Sequence, residues 1–296
     1  MVQIKKNVDL SSFTSWMVGG PADFFCLPSN LEELREALEF AKTKTLPTTI
    51  LGGGSNVLIS DSGISGLTIG LKNLSGVLRS EPVADRWLLE VMAGTSKSEI
   101  LKIFLKQKLA PSVFLAGIPG DVGGGVAMNA GIGEMLTPRE FVEITDWVEV
   151  MRFDGSVNRL EAKKLRWTYR HCEGWQPGII IKVGLSWKNQ PEDSILVQAK
   201  SANQNRLSKQ PLDMPSCGSV FVNPPGHKAA MLIDSCGLKG YTLGKTQVSL
   251  KHANFIVNLG GATCAEIWQV IQHVQTVVKA KTGVELITEV VKLGRW

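Results

Sequence analysis

The sequence predicts an α+β chain, and three features predict it. Apolar runs of strand length alternate with amphipathic segments of helical period, and the helical segments begin at recognisable caps. Two glycine-dense loops punctuate the strands and helices between them. With 296 residues, 44% of them hydrophobic, the chain can fill one large core or several smaller ones, and a disordered polymer is excluded.

The elements follow in chain order. Leu31 to Lys42 reads as a helix with Leu31, Leu34, Leu38 and Ala41 on one face, Ser29 or Asn30 as cap, and Pro47 enforcing the stop. Thr48 to Leu51 and Val57 to Ile59 read as strands on either side of Gly52–Asn56. Trp87 to Ala93 is a further strand, and the box Ser96-x-x-Glu99 opens a helix carried by Ile100, Ile103, Phe104 and Leu109. Leu109 to Gly133 has Asp121 as its only charge. Its seven glycines and two prolines make it a poor membrane helix and suit backbone that approaches a ligand.

Alternation from Ile144 to Arg152, a turn at Phe153-Asp154-Gly155 and the apolar run from Ile179 to Trp187 predict two more strands. The polar, proline-bearing Lys188 to Asp193 marks a domain boundary near residue 190. Beyond it come a helix from Ile195 to Lys209, a strand near Ser219 to Val222, a helix ending at Gly237 and a strand from Phe255 to Asn258. The box Thr263-x-x-Glu266 opens a long helix through Ile267, Val270, Ile271, Val274 and Val278 that stops at Gly283. A last strand, Val284 to Leu293, carries Glu289.

Composition excludes several classes of function. Thirty-two basic against twenty-seven acidic residues leave +5 without a Lys/Arg block, so no nucleic-acid partner is expected, while small anionic ligands suit the balance. Five scattered cysteines (Cys26, Cys172, Cys217, Cys236, Cys264) form no C-x-x-C pair and imply a reducing compartment. The four histidines include no H-x-x-x-H pair, and no metal is expected. The first twelve residues hold no apolar run of signal-peptide length, which predicts a cytoplasmic protein with no membrane association.

The loudest motifs are the loops Gly52–Asn56 and Gly117–Gly125, because consecutive residues without Cβ let backbone N–H groups converge on phosphate oxygens. Either alone also reads as a tight turn; together, with Ser55, Asn56 and Asn129 adding polar groups, they suit a dinucleotide. The Rossmann fingerprint is absent, since Val57 follows Gly52-x-Gly54 and Met128 follows Gly123-x-Gly125 at the third glycine position. Gly244-Lys245-Thr246 lacks the P-loop glycine, Lys239 standing in its place, and reads as a turn. No G-x-S-x-G elbow occurs.

Three side chains could carry chemistry. Glu289 lies among apolar neighbours, where burial would raise its pKa and favour proton donation; an edge carboxylate facing water is the alternative. Arg170 could clamp a carboxylate bidentately or form an ordinary salt bridge. Ser219, after Gly218, could cap a turn or donate a proton.

Six ordered motifs together carry a resemblance: LGGGSN (Leu51–Asn56), AGIPGDVGGGVAMNAG (Ala116–Gly131), YR (Tyr169–Arg170), CGSVFVNP (Cys217–Pro224), QVSLKHANFIVN (Gln247–Asn258) and ITEVVKLG (Ile287–Gly294). In this order, over nearly the whole chain, they resemble the flavin-dependent UDP-N-acetylenolpyruvoylglucosamine reductases, and the short stretch between Arg170 and Ser219 resembles the shorter, second type. The resemblance implies a two-subdomain FAD-binding fold of the vanillyl-alcohol-oxidase type over residues 1–190, dividing near residue 72, and a smaller α+β substrate domain over 191–296.

It also implies noncovalent FAD, since the histidine of covalent-flavin relatives is absent from LGGGSN, with NADPH as hydride donor and a UDP-sugar substrate; a monomer is expected. Gly52, Gly53, Gly54, Ser55, Asn56, Gly117, Ile118, Pro119, Gly120, Gly123, Gly124, Asn129, Ala130 and Gly131 are implied to hold the cofactor. Arg170, Ser219 and Glu289 are implied to be catalytic, and Tyr169, Asn223, Gln247, Ser249, Lys251, His252 and Asn254 to meet the substrate. Three positions depart from the pattern: Val222 where lysine is frequent, Cys172 where serine is usual and Ile132 where an aromatic is common; Lys228 or Lys251 could replace the missing cation. An FAD-dependent oxidase or dehydrogenase of the same fold and a nucleotide-binding module without catalysis are the rival readings.

Overall fold

The structure, a computed structural model, describes residues 1–132 and 136–296; Gly133, the end of the glycine-dense stretch, lies outside the described residues. The first half of the chain forms β1 (Lys5–Asp9), β2 (Pro21–Cys26), α1 (Leu31–Thr43), β3 (Thr48–Leu51), β4 (Val57–Ile59), β5 (Ile64–Gly70), β6 (Val77–Val83), β7 (Arg86–Met92), α2 (Lys97–Lys106), α3 (Pro111–Leu115) and α4 (Val122–Ala127). The second half forms β8 (Thr145–Met151), β9 (Val157–Glu161), β10 (Arg166–Thr168), β11 (His171–Glu173), β12 (Ile179–Lys188), α5 (Ser194–Lys209), α6 (Ala229–Ser235), β13 (Thr242–Leu243), β14 (Thr246–Val248), β15 (Ile256–Asn258), α7 (Cys264–Thr282) and β16 (Val291–Leu293). The elements are mixed helices and sheets, as the α+β expectation requires.

Two compact units share these elements: Met1–Ile4, Cys26–Gly53 and Thr68–Arg206 form one, and Lys5–Phe25, Gly54–Leu67 and Leu207–Trp296 the other. This division differs from a split at residue 190, because two N-terminal segments join the C-terminal unit and the crossing falls inside α5. The polar Lys188–Asp193 stretch breaks a strand without ending a unit: Glu192 N–H returns to Lys108 C=O at 3.0 Å, within the first unit.

In the first unit, the antiparallel sheet β6-β7-β12-β8-β9 is built on β12, whose run Ile179–Leu185 is buried on both faces except at Lys182. Leu89, Val91, Phe104, Phe114, Val126, Phe141, Val148 and Val183 pack one core around it. The α2 face predicted from Ile100 and Phe104 is the buried one, and Ser96 accepts the Glu99 N–H at 3.2 Å as its cap. Gly184 pairs with Trp147 across β12 and β8, so the indole lies where a Cβ would project, and the Arg159 guanidinium stacks 3.8 Å from the same ring.

In the second unit, α7 presents Ile267, Val270, Ile271, Val274 and Val278 to a core with Trp16, Val220, Phe221, Ile233, Val248 and Ile256. Thr263 and Glu266 form the reciprocal capping box and Gly283 ends the helix at φ 73°. Trp16 Nε1 donates to Ile256 C=O at 2.7 Å, so an N-terminal residue is locked into the C-terminal core by its one polar atom. One predicted strand is absent and another is shortened. Ser219–Val222 is not a strand, and only Val291–Leu293 of the last one forms, parallel to β4. Between them runs a single antiparallel bridge, Phe221 with Thr288. The sequence Cys217-Gly218-Ser219 turns at φ +82° on Gly218, which a β ladder does not accommodate.

Replacing Gly184 by Ala should destabilise the protein by about 1–3 kcal/mol, because the indole must leave its place. Urea unfolding reads this as a lower midpoint at unchanged slope.

Candidate active site

The two glycine loops meet within the first unit. A Cβ on Gly53 would stand 2.9 Å from Gly120 Cα, and one on Gly52 would stand 2.7 Å from Asp121 Oδ2, so both positions are glycine because backbone packs on backbone there. Asp121 is 5% exposed; its carboxylate accepts Gly124 N–H at 2.7 Å and lies against the Gly52 backbone of the other loop. Burial pushes its carboxyl up, while the Gly124 bond, the Lys97 charge and the Gly53 amide pull it down.

This bonding corrects how the second loop works. The N–H groups of Val122, Gly123, Gly124 and Gly125 are taken by Thr95 C=O, Ala93 C=O, the Asp121 carboxylate and Asp121 C=O. Gly123 and Gly124 therefore offer no amide to a phosphate. Their glycines serve close packing, as at Gly125, where a Cβ would stand 2.5 Å from Phe141 Cζ. The donors that remain lie earlier in the loop, where Gly117 and Gly120 take φ of +81° and +91° and their N–H groups have no hydrogen bond among the described residues. Ile118 N–H is used by Leu115 C=O, and Pro119 supplies a carbonyl, not a donor.

Asn129 and Arg170 form the second cluster of this unit. Asn129, 2% exposed, donates to Glu140 Oε2 and Thr168 C=O, both at 3.1 Å, and accepts Val142 N–H at 3.0 Å. Its side chain is thus bonded to protein on three sides. Ala130 N–H is likewise bonded to Gly125 C=O, and a Cβ on Gly131 would meet Glu140. Glu140 carries the effect on to Arg170: Nη1 lies 3.5 Å from Glu140 Oε1, and Nη2 donates to Gly131 C=O at 2.9 Å. Arg170 sits at φ +59° in the β10–β11 turn with its guanidinium 4.7 Å from the exposed Tyr169 ring. Cys172, where serine was expected, is fully buried, and burial pushes its thiol up to about 12.

Ser219 and Glu289 come together in the second unit. Glu289 N–H donates to Val220 C=O at 2.8 Å and Val222 N–H to Ile287 C=O at 3.0 Å, which sets Glu289 opposite Val220 and Ser219 opposite Val290. Both side chains are half-buried. Asn254, 4% exposed, clamps this pair: its Oδ1 accepts Phe221 N–H at 3.0 Å, its Nδ2 donates to Phe221 C=O at 2.8 Å, and its own C=O accepts Val220 N–H. Asn56 holds the other side, donating to Glu289 C=O at 3.0 Å and accepting Val291 N–H on its main-chain oxygen. The Asn56 and Asn254 side chains therefore hold the main chain around Ser219 and Glu289. Gly54 turns against the Phe13 carbonyl, and among the described residues Ser55 and Asn56 keep unbonded N–H groups.

The other predicted substrate residues divide in the same way. Ser249 is buried and its hydroxyl accepts Lys251 N–H and His252 N–H, so it shapes a turn. Asn223 Oδ1 accepts Ala229 N–H at the start of α6, and Gln247 Nε2 donates to Thr242 Oγ1. Lys251 is exposed with Nζ on Leu207 C=O at 2.6 Å, and Lys228 is exposed at the cap of α6. His252 is half-buried, and burial followed by the Lys239 charge lowers its pKa. The charged groups Asp121, Glu140 and Lys97, which pack beside these loops and Arg170, were not singled out from the sequence as site residues. Asp121 left one signal, being the only charge in twenty-five residues of Leu109–Gly133.

Comparison with known proteins decides the family. A family model described as the UDP-N-acetylenolpyruvoylglucosamine reductase C-terminal domain matches residues 210–293, and one described as an FAD binding domain matches residues 22–161. A UDP-N-acetylenolpyruvoylglucosamine reductase of Limosilactobacillus fermentum is 37% identical over 99% of this chain and 95% of its own length. The chain belongs to the UDP-N-acetylenolpyruvoylglucosamine reductase family. Relatives of the same name from Listeria innocua and Moorella thermoacetica are each 38% identical, over 99% and 98% of this chain and 96% and 93% of theirs. The crystal structure of the UDP-N-acetylenolpyruvylglucosamine reductase of Thermus caldophilus superposes with a TM-score of 0.83 at 29% identity, covering 99% of this chain and 100% of that one. As a member of this reductase family the chain is an oxidoreductase, and its FAD-binding domain fits the paired glycine loops.

Replacing Asn254 by Ala should leave the buried Phe221 N–H and C=O without partners, at a cost of about 1–3 kcal/mol for each group. The check is urea unfolding, with loss of turnover exceeding the loss of folded protein.

Proposed function

We propose that the protein is an FAD-dependent, NADPH-consuming reductase that converts UDP-N-acetylglucosamine enolpyruvate to UDP-N-acetylmuramate, a step of peptidoglycan precursor synthesis in the cytoplasm. The observation that carries this reading is that Ser219 and Glu289 both lie next to the Phe221–Thr288 bridge, whose backbone Asn254 and Asn56 hold, in a chain of this family. Noncovalent FAD fits the residues present, because Gly117 and Gly120 offer backbone donors where a side chain would crowd the loop. When bound, FAD supplies the hydride relay from NADPH to the enolpyruvyl group.

The chain's own residues account for the rest. Hydride arriving at the vinyl carbon pushes negative charge toward the attached carboxylate, and a fixed cation with a nearby carboxyl stabilises that enol-like state. Arg170 is such a cation: Glu140 and the Gly131 carbonyl fix its guanidinium, and its side chain is only 13% exposed. Glu289 is the carboxyl. Ser219 holds the proton that the carbanionic carbon takes, a task set by position more than by acidity. Tyr169, Asn223, Gln247, Lys251 and His252 are the groups proposed to meet the UDP-sugar, where the +5 charge helps an anionic substrate approach.

Protein reconstituted with FAD should, without oxygen, oxidise NADPH beyond one equivalent per flavin only when the UDP-enolpyruvyl sugar is present. Ser219→Ala should lower product formation by about 10²–10⁴-fold while reduction of the flavin by NADPH is unchanged. NADPH oxidation that ignores the sugar would remove the proposed substrate, and full product formation by Ser219→Ala would remove the proton role.

A further inference from the structure

Lys97 is a buried cation at the glycine loops that the proposed reaction does not use. It opens α2 and is 4% exposed, where lysine is rarely found without a partner. Its Nζ donates to Pro119 C=O at 2.9 Å, its main-chain N–H donates to Gly120 C=O at 3.0 Å, and its ammonium stands 5.6 Å from the Phe141 ring centre. Two successive loop carbonyls are therefore drawn inward by one residue. In a trans peptide the C=O of one residue and the N–H of the next point in opposite directions. Holding Pro119 C=O inward thus turns Gly120 N–H outward, and that is one of the two loop amides with no hydrogen bond among the described residues.

We propose that Lys97 is a positioning residue for the diphosphate of the bound dinucleotide, aiming the Gly120 N–H at it and placing a positive charge behind the loop. The proposal rests on the FAD reading above and adds a residue to it. Burial lowers the Lys97 ammonium to about 8, with the Asp121 charge acting in the opposite sense. Among the described residues Asp121 is the charged side chain whose field reaches Lys97. The neighbouring 3-10 turn, Phe141–Glu143, contributes the Phe141 ring, while Glu140 and Glu143 face Arg170 and Arg139. An anionic ligand favours the charged ammonium, so affinity is full below pH 8 and declines as pH rises through it.

The test titrates apoprotein with FAD and, separately, with riboflavin, which has the same ring system and no phosphate, from pH 6.5 to 9.5, for the wild type and Lys97→Met. The expected result is FAD affinity that falls with pH above 8 in the wild type, is about tenfold weaker and flat with pH in Lys97→Met, and riboflavin affinity that is the same in both. Equal FAD affinity in the two proteins, or equal loss of FAD and riboflavin binding, overturns the proposal. Should Lys97→Met not fold, the wild-type profile decides alone: no decline for FAD beyond that for riboflavin overturns it. A wild type that binds no FAD at any pH overturns the cofactor reading itself, which the wild-type arm separates from a failure confined to Lys97.

Discussion

The contact on which the first unit's site depends is backbone against backbone, where Gly52 and Gly53 lie on Gly120 and Asp121 with no Cβ between them. Asp121 makes that contact stable. A buried carboxylate costs several kcal/mol unless it is compensated, and here the Gly124 N–H and the field of a buried ammonium offset that cost.

The same division of labour recurs at each cluster. Each expected catalytic side chain stands beside an amide or carboxylate engaged with protein: Asn129 and Glu140 near Arg170, Asn254 on Val220 and Phe221 next to Ser219, and Asn56 on the Glu289 main chain. Asparagine suits this work because its side chain carries a donor and an acceptor on one short rigid plane, matching a neighbouring residue's N–H and C=O together, as Asn254 does at Phe221. In the proposed reaction, proton transfer and charge stabilisation would both fall steeply with misplacement, which is why these supports bear on it.

Much of the architecture was legible in the sequence because its signals are local. The α1 face, the Ser96 cap, the Thr263–Glu266 box, the Gly283 stop and the β12 run are each set by neighbours within a few residues, and each formed within about two residues of its expected bounds. What the sequence concealed depends on partners far along the chain. Val284–Val290 has strand-like composition, but its partner segment offers only the bridge at Phe221, so most of it stays irregular. The joining of residues 5–25 and 54–67 to the C-terminal unit rests on contacts such as Trp16 to Ile256, 240 residues apart. At the site, glycine content pointed correctly to close approach, but not to what approaches: protein carbonyls and an aspartate take the amides of Gly123 and Gly124. Two of the acceptors, Ala93 and Thr95, lie outside the loop, and no pattern within it records them.

The account stands or falls on whether this site saturates an enolpyruvyl double bond. The most direct measurement is an anaerobic single-turnover experiment in which the FAD-loaded enzyme is first reduced, freed of excess reductant, and then mixed with UDP-N-acetylglucosamine enolpyruvate while flavin absorbance is followed. The account predicts that the oxidised flavin band returns in proportion to lactyl-ether product. A flavin that stays reduced in the presence of that sugar, yet is reoxidised by an unrelated acceptor, would contradict it.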